Sequence, residues 1–399
     1  MTTPEIAAPA AETRTISAWM IFLLAASCGL IAANLYYAQP LAGPISAELG
    51  LSPQATGLIV TLTQIGYGVG LLLIVPLGDL LENRRLILTM IGLAALALLG
   101  AGLAPTASAF LGAAVLIGLA SVAVQIIVPF AAHLTPPEVR GQVVGNIMSG
   151  LMAGIMLARP VSSFLADFLS WRAVFFLSTG VMVGLALVLA KNLPRRAPQS
   201  SLRYGDLLAS LANLALRTPI LQRRALYQAA LFGAFSLFWT VTPLLLAGPA
   251  FNLSQSEIAL FALAGAAGTV AAPIAGRLAD RGWSRPATAM AMLVAAASFL
   301  ITHIAPEGSG LALGLLVAAA ILLDFGATVN IVLGQRAIFA LGAEYRSRLN
   351  GLYMATFFTG GAIGSAVGGW AFAQGGWELA SWIGLALPVA ALAYWTSER

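Results

Sequence analysis

Residues 138–171 read EVRGQVVGNIMSGLMAGIMLARPVSSFLADFLSW, and residues 344–377 read EYRSRLNGLYMATFFTGGAIGSAVGGWAFAQGGW. The two stretches share residue types at one constant offset. The matching residues of the first stretch are Glu138, Arg140, Gly145, Met148, Gly154 and Trp171, and those of the second are Glu344, Arg346, Gly351, Met354, Gly360 and Trp377. Spaced identities at a single offset indicate an internal repeat, so we predict a chain built from two similar halves.

The chain around this repeat is too apolar for a soluble protein. Hydrophobic residues make up 59% of it and charged residues 9%, whereas roughly 25% of a soluble domain is charged. A helix needs about 20 mostly apolar residues to cross a bilayer. We predict an all-α membrane protein with twelve transmembrane helices in two pseudo-symmetric six-helix bundles. The predicted spans, numbered 1 to 12, are 16–38, 54–77, 86–104, 108–131, 142–167, 171–191, 224–247, 255–278, 286–304, 309–334, 348–373 and 377–396.

The longest polar stretch separates these spans into two sets of six. Leu207, Leu208, Leu211 and Leu214 recur there at helical spacing, which predicts a short surface helix over about 203–216. The expected organisation is an amino-terminal tail, a first bundle, a cytoplasmic linker and a second bundle, at 1–15, 16–191, 192–223 and 224–399 respectively.

The positive charges of the chain are distributed asymmetrically. If the amino terminus is cytoplasmic, all of the 20 Lys and Arg residues except Arg159 and Arg172 fall in cytoplasmic segments. Arg172 falls in an external loop and Arg159 within span 5. This distribution follows the positive-inside rule and predicts that both termini are cytoplasmic. The pI near 9.7 therefore reflects topology and does not indicate nucleic-acid binding.

Short charged motifs follow spans 2 and 8. Residues 276–282 read GRLADRG, with Arg285 shortly after them, and residues 76–85 read PLGDLLENRR. The later motif resembles the G-x-x-x-D-R-x-G-R signature of the major facilitator superfamily. The earlier motif is a degenerate copy, with Val75 and Leu80 at two signature positions. Residues 171–175, WRAVF, resemble the W-R-x-x-F motif at the start of span 6 in the same family.

The resemblance implies a role for the charges of these motifs. A carboxylate at a helix end can pair with arginines and with the terminus of a neighbouring helix. In this family the motif is a conformational latch, a role that the resemblance extends to Asp79, Arg84, Arg85, Asp280 and Arg281. The alternative is that these charges follow the positive-inside rule alone.

The resemblance extends to bacterial drug or metabolite:proton antiporters of the efflux type. It implies a monomer in the bacterial inner membrane, with a small-molecule substrate, protons and lipid as partners. The expected energy source is the proton gradient, and no cofactor is expected. Two features depart from the antiporter pattern: residues 118–128 of span 4 contain no basic residue, and Arg159 stands where the family has a glycine before Pro160.

Spans 2 and 11 carry glycines at helical spacing. Gly66 and Gly70 lie in span 2, and Gly360, Gly364 and Gly368 lie in span 11. Such ridges allow close approach of helix backbones. In the family these spans face each other across the two halves, so the ridges are expected either at that interface or in packing within one bundle.

Only Arg159 in span 5 and Asp324 in span 10 place a charge deep within a predicted span. Such a charge costs roughly 2.5–3.5 kcal/mol near the bilayer centre and commonly marks a functional site. A carboxyl group deprived of water binds a proton more readily and can cycle between charged and neutral forms. We expect Asp324 to be the proton-coupling carboxylate, and Arg159 to be its counter-ion or an anchor for a substrate anion. A fixed structural ion pair is the alternative.

Polar and aromatic residues in the spans that line the cavity in the family are candidates for substrate contact. The alternative for about half of them is packing between helices. The candidates are Asn34, Tyr37, Gln64, Tyr67, Gln125, Phe235, Trp239, Asn330, Met354 and Phe358.

The sequence contains no recognisable enzyme site. His133 and His303 fall at opposite membrane ends, Cys28 is the only cysteine, and no G-x-x-x-x-G-K-S/T loop for ATP is present. We predict a non-enzymatic secondary active transporter that works by alternating access, with proton-coupled efflux of amphipathic drugs or metabolites as its function. The alternatives are a proton-coupled importer of an organic anion or a sugar-like metabolite, and, outside transport, a membrane receptor or channel.

Overall fold

The computed structural model describes residues 17–136, 138–198, 203–342 and 345–398, with the backbone alone for 266–269. The predicted tail, residues 1–15, and Glu344 of the repeat lie outside these residues. All regular elements in the described part are helical, which confirms the predicted all-α class. The α-helices are α1 (Ala18–Ala33), α2 (Ala42–Leu49), α3 (Leu58–Leu73), α4 (Asn83–Leu103), α5 (Ala107–Ser121), α6 (Ala123–His133), α7 (Arg140–Phe168), α8 (Trp171–Asn192), α9 (Tyr204–Arg217), α10 (Pro219–Ala247), α11 (Gln255–Ala262), α12 (Ala271–Asp280), α13 (Ser284–Ile301), α14 (Gly310–Phe339) and α15 (Arg346–Trp395).

Helical structure lies at each of the predicted spans. Within the described residues, nine helices or joined helices are long and apolar enough to cross a membrane, and α1 is a shorter apolar helix. One of the nine, α15, has non-helical backbone at Gly375 and Gly376, where spans 11 and 12 meet. The number of helices that cross the bilayer, twelve, stays a prediction, as does the cytoplasmic position of the termini.

Span 8 was predicted as one continuous helix, and of all the spans its structure differs most from the prediction. A 3-10 segment, Leu263–Val270, separates α11 from α12. The sequence of this segment, LAGAAGTV, contains two glycines and two β-branched residues, which are weak helix formers. A 3-10 stretch in mid-helix commonly marks a hinge. The short helix α2, between spans 1 and 2, was not predicted either.

Glycine contacts explain why the repeat keeps Gly154 and Gly360. A Cβ at Gly154 would lie 2.2 Å from the carbonyl oxygen of Gly29, and a Cβ at Gly360 would lie 2.2 Å from that of Ala229. Helix α7 therefore crosses α1 in the first half just as α15 crosses α10 in the second. The glycine ridges of spans 2 and 11 also pack within their own halves, because Gly66 meets Val115. Of the two alternatives for these ridges, packing within one bundle is correct.

Other residues form the contact between the halves, where α3 meets α15. A Cβ at Gly57 would lie 2.2 Å from the carbonyl oxygen of Ser365. The hydroxyl groups of Thr61 and Ser365 are 2.8 Å apart, and Gln64 Nε2 donates to Ser236 Oγ over 2.8 Å. Small and hydroxyl-bearing residues thus form this part of the contact between the halves.

The predicted surface helix of the linker is confirmed as α9. Its buried residues are Leu207 and Leu211. The Tyr204 hydroxyl donates to the carbonyl oxygen of Leu73 over 2.8 Å, and Arg348 donates to Ser210 Oγ. Helix α9 therefore contacts both halves at the end of the molecule where α3 ends and α15 begins.

The crossing of α1 and α7 predicts a strong effect of Gly154→Leu. The new side chain would force the two backbones apart, and such overpacking costs about 1–3 kcal/mol or more. We expect a lower thermal midpoint and more aggregation of the purified protein in detergent, measured by intrinsic fluorescence and size-exclusion chromatography.

The matched control is Gly180→Leu in α8, because a Cβ at Gly180 meets no atom within 4 Å. Equal thermal midpoints for the two variants would contradict the role given to Gly154.

Candidate functional site

Arg159 lies at the centre of the site, although its helix is largely exposed elsewhere. The residue precedes Pro160 in α7 and is 5% exposed. Its Nε donates to Gln39 Oε1 over 2.7 Å. Three aromatic rings surround the guanidinium group, with centroids 4.9 Å away for Tyr36, 5.2 Å for Phe235 and 4.6 Å for Trp239. The cation is thus held by one amide and by the faces of aromatic rings.

Trp239 connects this cation to the buried acid. Its indole Nε1 donates to Asp324 Oδ1 over 2.9 Å, while the face of the same ring lies against Arg159. Asp324 is 7% exposed, in α14. In the described part of the chain, no ion pair within 4.0 Å joins Arg159 to Asp324. The two charges interact over a longer distance, with an indole between them.

This arrangement offsets part of the cost of burying each charge. A desolvated cation–π contact is worth about 2 kcal/mol, and a hydrogen bond to a charged group about 1.5–3 kcal/mol. Arg159 has contacts of both kinds, and Asp324 has the bond from the indole. When both residues are ionised their charges sum to zero, so the site as a whole carries no net charge.

The end of α1 brings Tyr36 and Gln39 to the site. The helix ends at Ala33, and the chain continues in turns, in which the Gln39 backbone N–H donates to the carbonyl oxygen of Tyr36 over 3.2 Å. Gln39 is 1% exposed. Irregular backbone within a membrane protein is tolerated where it is buried in protein or lines a cavity. Neither Tyr36 nor Gln39 was among the predicted site residues.

The 3-10 segment Leu263–Val270 also borders the site, through Gly265. A Cβ at Gly265 would lie 2.7 Å from Asp324 Oδ2 and 2.9 Å from Trp239 Cζ2. Only a residue without a side chain fits between the acid and the indole at this point. Gly265 was not among the predicted site residues, because a lone glycine in an apolar segment carries no signal of such a contact.

A row of aromatic rings leads from the site toward α3. The centroid distances are 6.4 Å between Trp239 and Phe235, 5.2 Å between Phe235 and Phe232, 5.5 Å between Phe232 and Phe358, and 4.4 Å between Phe358 and Tyr67. Three of the predicted cavity residues therefore lie in one row with Trp239: Tyr67, Phe235 and Phe358. Gln125 joins its far end, since its Nε2 donates to Tyr67 Oη over 3.1 Å.

The other cavity candidates lie elsewhere. Asn34 accepts a 2.7 Å bond from Ser178 in the first half, and Asn330 donates over 2.7 Å to Gln228 in the second half. Gln64 lies between the halves. Tyr37 packs against the core of the first half and Met354 against buried residues of α10, α14 and α15, and both also pack against the buried cluster that contains Tyr36 and Phe358.

Three of the predicted latch charges have partners within their own half of the chain. Asp280 pairs with Arg336, Arg84 donates to the carbonyl oxygen of Ala190, and Arg85 lies 3.6 Å from Glu82. Arg281 is exposed. Asp79 lines a small cavity between the halves, together with Arg348 and the leucines of α9. Arg336 and Arg348 were not predicted as partners of the latch carboxylates, although both are basic residues at the ends of predicted spans.

The chain matches a family model over most of its length. The model is that of the Major Facilitator Superfamily, and the matched residues are 21–317 and 225–399. A transporter of Escherichia coli O157:H7, YgaY, is 39% identical over 381 residues, which are 95% of each chain. A probable transporter of Streptomyces coelicolor, SCO4007, is 33% identical over 360 residues, with 89% of this chain and 82% of the relative covered.

Solved structures share the fold at low sequence identity. The nucleoside transporter NupG superposes with a TM-score of 0.78 at 14% identity, covering 94% of this chain and 99% of that one. A bacterial homologue of the human lysosomal transporter Spinster, in an inward-facing conformation, has a TM-score of 0.73 at 14% identity, with 97% of both chains covered. At this identity the likeness shows the fold alone.

The hydrogen bond from the Trp239 indole to Asp324 predicts energetic coupling between these two residues. The Trp239→Phe variant keeps a ring over Arg159 but loses the N–H donor, so we expect it to lower the thermal midpoint of the otherwise unchanged protein. In an Asp324→Ala background there is no carboxylate to lose a bond, and the same substitution is expected to have a much smaller effect. A double-mutant cycle measures the difference, for which we expect about 1–3 kcal/mol.

Trp377→Phe is the control for this cycle, because its indole donates to Thr302 over 3.1 Å instead. Its effect is expected to be the same in both backgrounds. Additive effects of Trp239→Phe and Asp324→Ala would contradict the bridge.

Proposed function

The chain belongs to the Major Facilitator Superfamily and is a non-enzymatic membrane transporter, and from this premise we propose that it moves a small amphipathic organic solute by proton-coupled alternating access. Asp324 is the group that takes up and releases the proton. Arg159, Trp239 and the aromatic row form the substrate site. Transport needs no cofactor in this proposal, since the proton gradient supplies the energy.

The observation that carries this proposal is the bond from Trp239 to Asp324. Protonation of a carboxylate that is held in a direct ion pair abolishes the ionic interaction, and the loss of a buried pair is costly because it leaves the other charge uncompensated. The neutral indole occupies only Oδ1, so a proton can bind at Oδ2 while the indole bond remains. Asp324 can therefore change its charge without rearrangement of Arg159, which suits a group that is protonated in every transport cycle.

The direction that we propose is efflux of amphipathic drugs or metabolites in exchange for protons. Its support is the resemblance to efflux antiporters and the aromatic row, which offers flat apolar surfaces to an amphipathic solute. We place the monomer in the bacterial inner membrane with both termini in the cytoplasm. The charges of the proposed latch (Asp79, Arg84, Arg85, Asp280 and Arg281) then hold the cytoplasmic ends of the helices, with Arg348 and Arg336 as partners.

A second candidate is import of an organic anion together with a proton. The observation that favours it is the environment of Arg159, which has no carboxylate within 4.0 Å among the described residues. A buried cation with only an amide and aromatic rings around it can accept an anion from a substrate.

Asp324→Asn tests the proton coupling. We expect the variant, reconstituted in proteoliposomes, to lose the dependence of transport on an imposed pH gradient, because an amide cannot carry a proton between the two sides. The probes are ethidium, an amphipathic cation, for efflux and benzoate for anion import, with the gradient imposed in each direction. The direction of the gradient that drives each probe separates the two candidates.

Glu307→Gln is the matched control, since it removes an exposed carboxylate outside the site and is expected to leave the gradient dependence intact. Undiminished dependence in Asp324→Asn would end the proposal that Asp324 couples transport to protons.

A further inference from the structure

Two buried nitrogens at the site have no hydrogen-bond partner among the described residues. They are Arg159 Nη2 and Gln39 Nε2. Their side chains are almost fully buried, with residue exposures of 5% and 1%. Buried donors of this kind are rare in folded proteins, because they have lost their bonds to water and gained none in return. Both nitrogens can therefore donate to a bound ligand.

The two unpaired nitrogens belong to one hydrogen-bonded cluster. Arg159 Nε donates to Gln39 Oε1 over 2.7 Å, so the guanidinium group and the amide adjoin each other. Both unpaired atoms are donors, and one of them belongs to the guanidinium group, which carries a delocalised positive charge. The missing partner is thus an acceptor with negative charge, and a carboxylate fits because its two oxygens can accept both bonds at once.

The aromatic residues around this cluster indicate which chemical groups the rest of the ligand carries. The rings of Tyr36, Phe235 and Trp239 lie within 5.2 Å of the guanidinium carbon, measured to their centroids. A substrate whose anionic group reaches Arg159 must place its remaining atoms among these rings. An apolar or aromatic body suits that space, because flat rings pack well against aromatic side chains.

The charges of the site limit the ligand to a single negative charge. With Arg159 and Asp324 both ionised, the site is neutral, and a bound monoanion brings the sum to minus one in a buried environment. Protonation of Asp324 restores neutrality, so the electrostatics favour binding of the anion and the proton together. Trp239 contacts both Arg159, where the anion would bind, and Asp324, where the proton would bind.

We propose that Gln39 and Arg159 together bind the carboxylate of a small amphipathic monocarboxylate, and that Gln39 is a specificity-determining residue of the transporter. This inference rests on the proposed proton-coupled transport and sharpens its second candidate. Gln39 orients the guanidinium group through Nε and supplies its own amide nitrogen to the substrate. Each bound monocarboxylate is accompanied by one proton on Asp324.

The test uses the purified full chain in lipid nanodiscs and three probes of nearly equal shape: benzoate, benzamide and benzylamine. Isothermal titration calorimetry measures their affinities. We expect benzoate to bind at least about tenfold more tightly than the neutral and the cationic probe. In Gln39→Leu we expect benzoate binding to weaken by about tenfold or more, because one charge-assisted contact and the orientation of Arg159 are lost.

Two further variants guard against a trivial loss of structure. Gln335→Leu is the matched control, since Gln335 bonds to Asn350 over 3.1 Å and does not contact the site residues, and it is expected to keep the affinity for benzoate. Gln39→Glu introduces a carboxylate beside Arg159 that takes the place of the substrate's carboxylate. It is expected to remain folded, with an unchanged thermal midpoint or a higher one, and to bind no benzoate.

Proton uptake provides a separate readout of the coupling between the bound carboxylate and Asp324. Titrations in buffers of different ionisation enthalpy give the number of protons bound with benzoate. We expect about one proton per benzoate in the unchanged protein at a pH where Asp324 is ionised, and none in Asp324→Asn.

Several outcomes would overturn the inference: equal binding of benzoate and benzamide, no binding of benzoate, or equal losses in Gln39→Leu and Gln335→Leu. If transport of ethidium still depends on Asp324 and the pH gradient in that case, the proposed function stands and only the carboxylate site fails. If Asp324→Asn leaves gradient dependence unchanged, the proposed function fails whatever benzoate does.

Discussion

The indole of Trp239 contacts both of the charges that are buried at the centre of this membrane protein. Its face lies against Arg159, and its N–H donates to Asp324. Because a polarisable, neutral ring stands between them, the two charges offset each other without forming a rigid ion pair. Either charge can therefore be altered, by a proton or by a bound anion, while the other keeps its position.

The packing of the helices fixes the positions of Trp239, Arg159 and Gln39 relative to one another. Arg159 lies on α7, which crosses α1 at Gly29 and Gly154, and the same crossing brings the end of α1 with Gln39 to the guanidinium group. The second half repeats this crossing between α10 and α15, with Trp239 on α10. Close glycine contacts fix the helices within each half, and the halves meet through small and hydroxyl-bearing residues of α3 and α15 and through the aromatic rings around Arg159. The site thus lies at the contact between the two halves.

Much of this architecture could be predicted from the sequence, because the hydropathy of each span and the repeat around Gly154 and Gly360 are local or periodic signals. Arg159 and Asp324 could be singled out because a charge inside an apolar span is costly. The bridge by Trp239, the contact with Gln39 and the wall at Gly265 could not be predicted. They depend on the relative rotation and height of helices far apart in sequence, on which hydropathy carries no information. The break in span 8 was missed for a related reason, since its residues are as apolar as those of a continuous helix.

In the proposed transport cycle, Asp324 is protonated and deprotonated while it stays bonded to the indole of Trp239. Infrared difference spectroscopy of the reconstituted protein during a pH titration tests it most directly, because a protonated carboxyl group has its own C=O band and that band shifts with hydrogen bonding. We expect a buried carboxylic-acid band that is absent in Asp324→Asn and shifted in Trp239→Phe. A band that persists in Asp324→Asn, or one that Trp239→Phe leaves in place, would contradict it.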